Sequence, residues 1–194
     1  MQEPIPRDIL PDSAIDVFTY FAPHRPMLSL RLATAADALA VATVHVRAWQ
    51  DGYRGLIADE YLDSLRPEDR AARYTFGSAD PNAPETVVAE RDGWVCGFAT
   101  IGPCREAGPE TGELLALHVD PRAWGLGAGR ELIADARARL VARGCTEAVL
   151  WVLVHNERAQ RFYRIDGWRP DGVDRTIEIW GVEIFDTRFR RQLP

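Results

Sequence analysis

The sequence predicts a mixed α/β domain, and three observations carry that prediction. TVVAE, Asp92-Gly93 and WVCGFATI form a hairpin signature in the first half, with a two-residue turn between apolar runs. The pattern that follows reads strand, helix, strand, helix: GELLALHV, a helix over 127–143, the continuous apolar run Ala148–Val154, and a helix from Asn156 to Asp166. The tail segment TIEIWGVEIF adds strand material whose turn the pattern does not locate. The chain has 194 residues, the size of one domain, and can bury a core without disulfides or a structural metal.

Residues 1–26 contain five prolines and no sustained period, so they read as an extended arm ahead of a domain over 27–194. Val17, Phe18, Tyr20 and Phe21 could dock that arm on the domain, and Met27 offers an alternative start. LSLRLA (28–33) alternates as a strand does. Thr34-Ala-Ala-Asp37 has the form of a capping box, with Asp in place of the usual Glu or Gln. The helix it opens runs to about Gln50, with Leu39, Thr43, Val46 and Trp49 near one face. Asp59–Leu65 and Pro67–Phe76 read as shorter helices, the second with Pro67 in its first turn. Gly144 is a natural end for the helix over 127–143.

The net charge is −6 and all 23 basic residues are Arg. An acidic chain lacks the positive footprint that nucleic acid requires, and suits a cationic small substrate better. Cys96, Cys104 and Cys145 make an odd number with neither CxxC nor metal-ligand spacing, which points to a reducing cytoplasm and no metal site. No run approaches the ~20 apolar residues of a membrane span, and the N-terminus has no apolar h-region. The expectation is a soluble cytoplasmic protein, with a homodimer allowed.

The stretch DPRAWGLGAGRELI (120–133) places three glycines between an apolar run and a helix. A Walker loop needs GxxxxGK[ST], and a chain without Lys excludes it. A dinucleotide fingerprint needs GxGxxG, but the third position here is Arg130, and Glu147 precedes the next strand instead of ending it. What remains is Gly125-x-Gly127-x-Gly129 opening a helix whose unpaired N–H groups face a pyrophosphate. On the loop alone, a tight strand-to-helix connection without a ligand stays open.

Further along, NERAQRFYRIDGW has the spacing Asn156-x-x-Ala159-x-x-Phe162-Tyr163-x-x-x-Gly167-Trp168. Together with ELLALHVDPRAWGLGAG it resembles the GCN5-related N-acetyltransferase (GNAT) family, over about Leu28–Leu193. The resemblance implies a mixed, mostly antiparallel central sheet flanked by helices, splayed between its fourth and fifth strands, with acetyl-CoA in the gap. It implies cofactor contacts from Leu117, His118 and Val119, from the loop Trp124, Gly125, Leu126, Gly127, Ala128, Gly129 and Arg130, and from Asn156 and Ala159. The family's loop starts with Gln or Arg, whereas this chain has Trp124, with Arg122 two residues earlier. Backbone donors do not depend on that side chain.

Acetyl transfer to an amine has three requirements. The carbonyl needs donors as it becomes tetrahedral; in the family they come from backbone near a bulge in the fourth strand, which maps to about Leu117–Val119. The leaving thiolate needs a proton, and Tyr163 matches the family's general acid; its other reading is an aromatic packed beside Phe162. Asn156 matches a residue on the CoA arm and is also a favoured helix cap. The amine must lose a proton, and Glu113 matches a base acting through water, against a solvated strand-edge carboxylate. His118 is a rival base by its reference pKa, with its face undecided, and His45 a weaker one that reads as helix packing or surface. Trp49 and Tyr53 can line an acceptor pocket, with Asp51 or Glu60 attracting a cation, or can pack between helices. Cys96 lies mid-hairpin with no His at motif spacing, so direct transfer within a ternary complex is expected, without an acetyl-enzyme.

The expected activity is acetyl-CoA-dependent N-acetylation of a primary amine of a small molecule. The alternatives are a protein or peptide N-acetyltransferase, and a non-catalytic CoA-binding regulator that would need neither Tyr163 nor Glu113.

Overall fold

The computed structural model describes residues 27–80, 82–179 and 182–194; the expected arm over 1–26 lies outside the described residues. Strand β1 (Leu28–Leu32) pairs antiparallel with β2 (Glu85–Arg91), which returns as β3 (Trp94–Pro103). Asp92 and Gly93 form that turn with φ of 50° and 82°, the left-handed pair a two-residue hairpin requires. Next come β4 (Thr111–Val119), antiparallel to β3, and β5 (Glu147–Leu153), parallel to β4. Beyond β5 lie β7 (Val182–Gln192) and then β6 (Arg169–Ile179), both antiparallel. The order β1-β2-β3-β4-β5-β7-β6 is thus mixed and mostly antiparallel. The tail hairpin closes between the pair Ile179 and Val182.

Helix α1 (Ala38–Gly52) covers one face of the sheet, where Val41 and Val44 meet Val88 and Phe98. Two short helices follow it, α2 (Asp59–Ser64) and α3 (Pro67–Ala71). Helices α4 (Ala128–Ala142) and α5 (Glu157–Ile165) pack on the other face, with Leu132, Ile133 and Tyr163 against Val87, Leu150 and Phe189.

Two sequence expectations are corrected here. Leu39 does not share the buried stripe of α1 and is 52% exposed. It stands two residues, roughly 200° of helix, from the fully buried Val41. The helix opened by Pro67 stops at Ala71 and does not reach Phe76. Tyr74 and Phe76 instead stack at 5.3 Å and pack beside Phe98, an aromatic burial that outweighs continuing the helix.

The entry to α1 is a short 3-10 turn over Ala35–Asp37. Its backbone is tied by Thr34 N–H donating to Asp37 Oδ2 at 2.7 Å. Arg31 donates to both Asp37 oxygens at 2.8 and 2.7 Å, and to both Glu90 oxygens at 3.0 and 2.9 Å. This clamp joins β1, β2 and the start of α1.

The site depends on the middle of the sheet. Pairing between β4 and β5 stops at Leu114 and Leu150, yet β4 continues to Val119 and β5 to Leu153. The two strands part. On its other edge β4 shifts register, Thr100 facing Ala116 while Ile101 faces Leu114, so Leu115 is an extra residue. The bulge therefore lies at Leu115, short of the Leu117–Val119 expected from the family pattern.

Candidate active site

The parting strands open a cavity of about 1000 Å³ that runs from the glycine loop, past the free edge of β4, to α1 and β7. At one end, Asp120 fixes how the chain leaves β4. Burial alone would raise this carboxyl, but hydrogen bonds from the Arg122 side chain and backbone and from Arg47 hold it below the usual range. The chain then enters a 3-10 turn, Pro121–Ala123, and the glycine loop. Gly125 and Gly127 have φ of 77° and 94°, which only glycine adopts without strain. A Cβ at either would meet no protein atom within 4 Å, so the loop borders open space. From Gly127 the chain starts α4, whose first amides have no acceptor within the helix.

Trp124, Gly125, Leu126, Gly127, Ala128, Gly129 and Arg130 all border the cavity. Trp124 Nε1–H donates to the Val119 carbonyl at 2.8 Å, and the Arg158 guanidinium lies 3.3 Å above its ring. Where the family carries Gln or Arg, this chain ties the loop to the end of β4 through an indole.

The bulge sorts the side chains of β4. A Cβ on Gly112 would press on Leu140 and Cys145 of the α4 side, so its neighbour Glu113 faces the α1 side. Leu114 packs with the α4 cluster but Ala116 with the α1 cluster, a reversal that the extra residue produces. Leu117 and Val119 then pack toward α4, while the His118 ring lies 5.4 Å from Phe98 and 4.5 Å from His45. Glu113 and His118, the two rival bases, consequently share a face and both line the cavity.

Their electrostatics differ. Burial, against Arg175 and Arg105, raises the Glu113 carboxyl, with Glu106 adding to the rise. Burial and then Arg70 push His118 down to about 4, so its imidazole is neutral at neutral pH. His45, expected as packing or surface, is buried and lines the cavity, with burial, His118 and Arg70 holding it well below its ordinary value.

From α5, Asn156, Ala159, Phe162 and Tyr163 reach the cavity. Asn156 Oδ1 accepts from Ala159 N–H at 3.0 Å, so it caps α5 while bordering the open space. Tyr163 is buried, and burial, then the neighbouring Tyr53, raises its phenol above the ordinary range. Tyr53 is itself pushed up to about 12 by burial and then by Asp186.

Trp49 and Tyr53 line the far end, 5.0 Å apart edge to face. Trp49 also packs with Ile57, Leu62 and Ile184, so lining and packing coexist. Asp51 and Glu60 are exposed and do not border the cavity, correcting the expectation that they attract a cation there. Asp51 lies two residues, roughly 200° around the helix, from Trp49. Among the described residues the carboxylates on the wall are Glu113 and Asp186. Sequence reasoning missed Asp186, along with Arg70, Tyr74, Trp151 and Arg175. Asp186 accepts from Arg175 at 3.2 Å, and that guanidinium lies 3.9 Å from the Trp151 ring centre. Alternation in EIFDTRF was the one available signal, unusable without the register of the tail hairpin.

Cys96 is buried behind the wall, where burial raises its thiol, and no cysteine borders the cavity. Among the described residues no group of three or more His, Cys, Asp or Glu could hold a metal ion, and no helix is long and apolar enough to cross a membrane.

A sheet that parts after one short parallel pairing, with a helix N-terminus at the mouth of the gap, defines the acyl-CoA N-acyltransferase class of fold. Residues 46–168 match the acetyltransferase (GNAT) family. The chain is 31% identical to the uncharacterized N-acetyltransferase YuaI of Bacillus subtilis, over 81% of its length and 89% of that protein. It is 30% identical to the mycothiol acetyltransferase of Acidothermus cellulolyticus over 84% of its length, but spans only 52% of that longer protein. Among solved structures it resembles the PaiA N-acetyltransferase of Thermoplasma acidophilum in complex with coenzyme A. The TM-score is 0.66 at 20% identity, covering 86% of this chain and 99% of that one. The chain belongs to the GNAT family and is an enzyme of the N-acetyltransferase class.

Proposed function

We propose that this enzyme transfers the acetyl group of acetyl-CoA directly to a primary amine of a small molecule. The observation that carries the reading is the unpaired edge of β4 from Leu115 to Val119, running between the glycine loop and Tyr163 along one cavity. Backbone groups on that edge lack a strand partner on the β5 side and, apart from the Val119 carbonyl that accepts from Trp124, are available to the pantetheine arm and to the thioester carbonyl. The amides at the start of α4 receive the pyrophosphate.

In the reaction, Glu113 takes a proton from the acceptor ammonium through water, and the amine nitrogen attacks the thioester carbon. The C–N bond forms as the carbonyl electrons move to oxygen. The intermediate collapses, the C–S bond breaks and Tyr163 gives the thiolate its proton, while the nitrogen loses its second proton, which restores the Tyr163 phenol. The products are the amide and CoA thiol, with one proton released. Without a cysteine on the cavity wall, no acetyl-enzyme is required. We place the protein in the cytoplasm, consistent with three free, buried cysteines.

Purified protein with acetyl-CoA and a panel of small amines and peptides, assayed for CoA thiol release, tests this. Turnover of small amines is the expected result. Calorimetric CoA binding without turnover of any amine would overturn it in favour of a CoA-binding regulator, and turnover of peptides alone would move the acceptor class.

A further inference from the structure

Trp124, where the glycine loop begins, is held on two sides. Its indole N–H donates to the Val119 carbonyl at 2.8 Å, which sets the rotation of the ring at the end of β4. Arg158 Cζ lies 3.3 Å from the centre of the same ring, a separation that only a flat stack allows. Stacking occupies the face of a guanidinium and leaves its N–H groups, which point outward in the plane, unused. Among the described residues Arg158 makes no hydrogen bond and pairs with no carboxylate. Desolvation at the cavity edge lowers its pKa, and no neighbouring charge raises it.

The place of Arg158 in its own helix is a second sign. It is the second residue of α5, in the turn that carries the positive end of the helix dipole. A cation there is repelled by the dipole, so its charge does not serve the stability of α5. Local rules are broken in this way where a residue serves a site. The start of α4 presents another positive helix end, and Arg158 and Gly125–Gly129 border one cavity. Two helix ends and a guanidinium with free donors thus face the same space, an arrangement that suits a multiply charged anion.

We infer that Arg158 binds the pyrophosphate of CoA through its in-plane N–H groups, and that Trp124 is the positioning residue that holds the guanidinium in reach. The first position of the loop, Gln or Arg in the family, is served here by a cation from α5. The inference rests on the proposed acetyl-CoA reading of the same cavity, and adds a side-chain charge to the backbone amides of α4.

The test is calorimetric titration of the full chain with CoA and with dephospho-CoA, which keeps the pyrophosphate and lacks the ribose phosphate. Arg158→Gln should weaken both ligands about tenfold, the lower end for a charge-assisted hydrogen bond, because Arg158 is exposed. Wild-type affinity should fall more steeply with added salt than that of the Gln variant, which the loss of a packing contact would not produce. Arg158→Lys should recover part of the loss, since it keeps the charge without the planar fork. Trp124→Leu should weaken CoA about threefold, and the double variant should lose less than the product of the two separate losses. Losses that simply multiply would remove the positioning role of Trp124. Unchanged CoA affinity in Arg158→Gln would overturn the inference and leave the CoA reading standing. A loss confined to CoA would overturn it in favour of the ribose phosphate. A wild-type protein that binds no CoA would sink both.

Discussion

Replacing Tyr163 with Phe isolates the proton that the proposed mechanism requires. The ring is 8% exposed and packs 5.4 Å from Phe162 and 6.4 Å from both Trp168 and Phe189. Phe keeps those contacts, so stability should move by less than about 1 kcal/mol. A phenol is ordinarily a weaker acid than a thiol, by ~1.5 pKa units from reference values of ~10 and ~8.5. Burial raises Tyr163 further. From the reference values alone the transfer is uphill by about 2 kcal/mol. General-acid catalysis contributes ~10²–10⁴-fold, or ~2.7–5.4 kcal/mol. With an uphill transfer the lower end applies, and we expect a loss of ~10²-fold in the single-turnover rate with acetyl-CoA affinity retained. The assay is rapid-mixing detection of CoA thiol with acceptor in excess. An acetyl thioester of a more acidic thiol should narrow the gap between wild type and variant. An undiminished single-turnover rate for the Phe variant would refute the reasoning and leave Tyr163 as packing.

Gly127→Ala places a Cβ at φ 94° with no protein atom nearby, so it should cost ~1–2 kcal/mol in stability. CoA affinity should fall tenfold or more, with Trp124→Ala milder; calorimetry showing no change for Gly127→Ala would remove the pyrophosphate from this loop. Glu113→Gln should slow kcat/KM by ~10²-fold. Because burial raises the Glu113 carboxyl, the ascending pH limb should lie above the ordinary carboxylate range and vanish in the Gln variant. A limb near pH 4 that His118→Ala abolishes would transfer the role to His118, whose imidazole is pushed down to about 4 by burial and then Arg70. Asp37→Asn should lose about 1–3 kcal/mol at neutral pH by weakening the Arg31 clamp. The Arg31 hydrogen bonds hold Asp37 well below its usual value, so its contribution is full above the unfolded pKa of ~3.9 and is lost as pH falls further. The gap between the denaturant midpoints of the two proteins should begin to narrow below about pH 4 and go on shrinking as pH falls, and a gap of constant size over that range would contradict this.

Local chemistry explains what was legible in the sequence. The Asp92-Gly93 turn announces its hairpin because a two-residue turn needs positive φ at both positions, and both have it. Gly125 and Gly127 announce the loop for the same reason, and Asn156 announces α5 because it caps it. The wall contributed by Arg70 and Tyr74 was not legible. Arg70 and Tyr74 both read as residues of one helix over Pro67–Phe76, whereas α3 ends at Ala71 and Tyr74 lies against His45. Asp186 and Arg175 meet across the hairpin of β6 and β7, a pairing fixed by tertiary register alone.

The face of His118 shows how little separates the two cases. Strict alternation from Gly112 would place Glu113, Leu115, Leu117 and Val119 on one side of β4, with Leu114, Ala116 and His118 on the other. A carboxylate and an imidazole would then be divided by the sheet, and only one could meet the acceptor. Leu115 breaks that alternation as the extra residue opposite β3. After it, Leu117 and Val119 pack toward α4, and Ala116 and His118 turn to the side that Glu113 already faces. The same strand stops pairing with β5 at Leu114, one residue earlier. One inserted residue thus accompanies the opening of the gap, turns His118 to the α1 side beside Glu113, and leaves Leu117 and Val119 packed toward the helix that follows the glycine loop. No side chain in the stretch signals this, because a bulge is a mismatch between two strands and belongs to neither sequence alone.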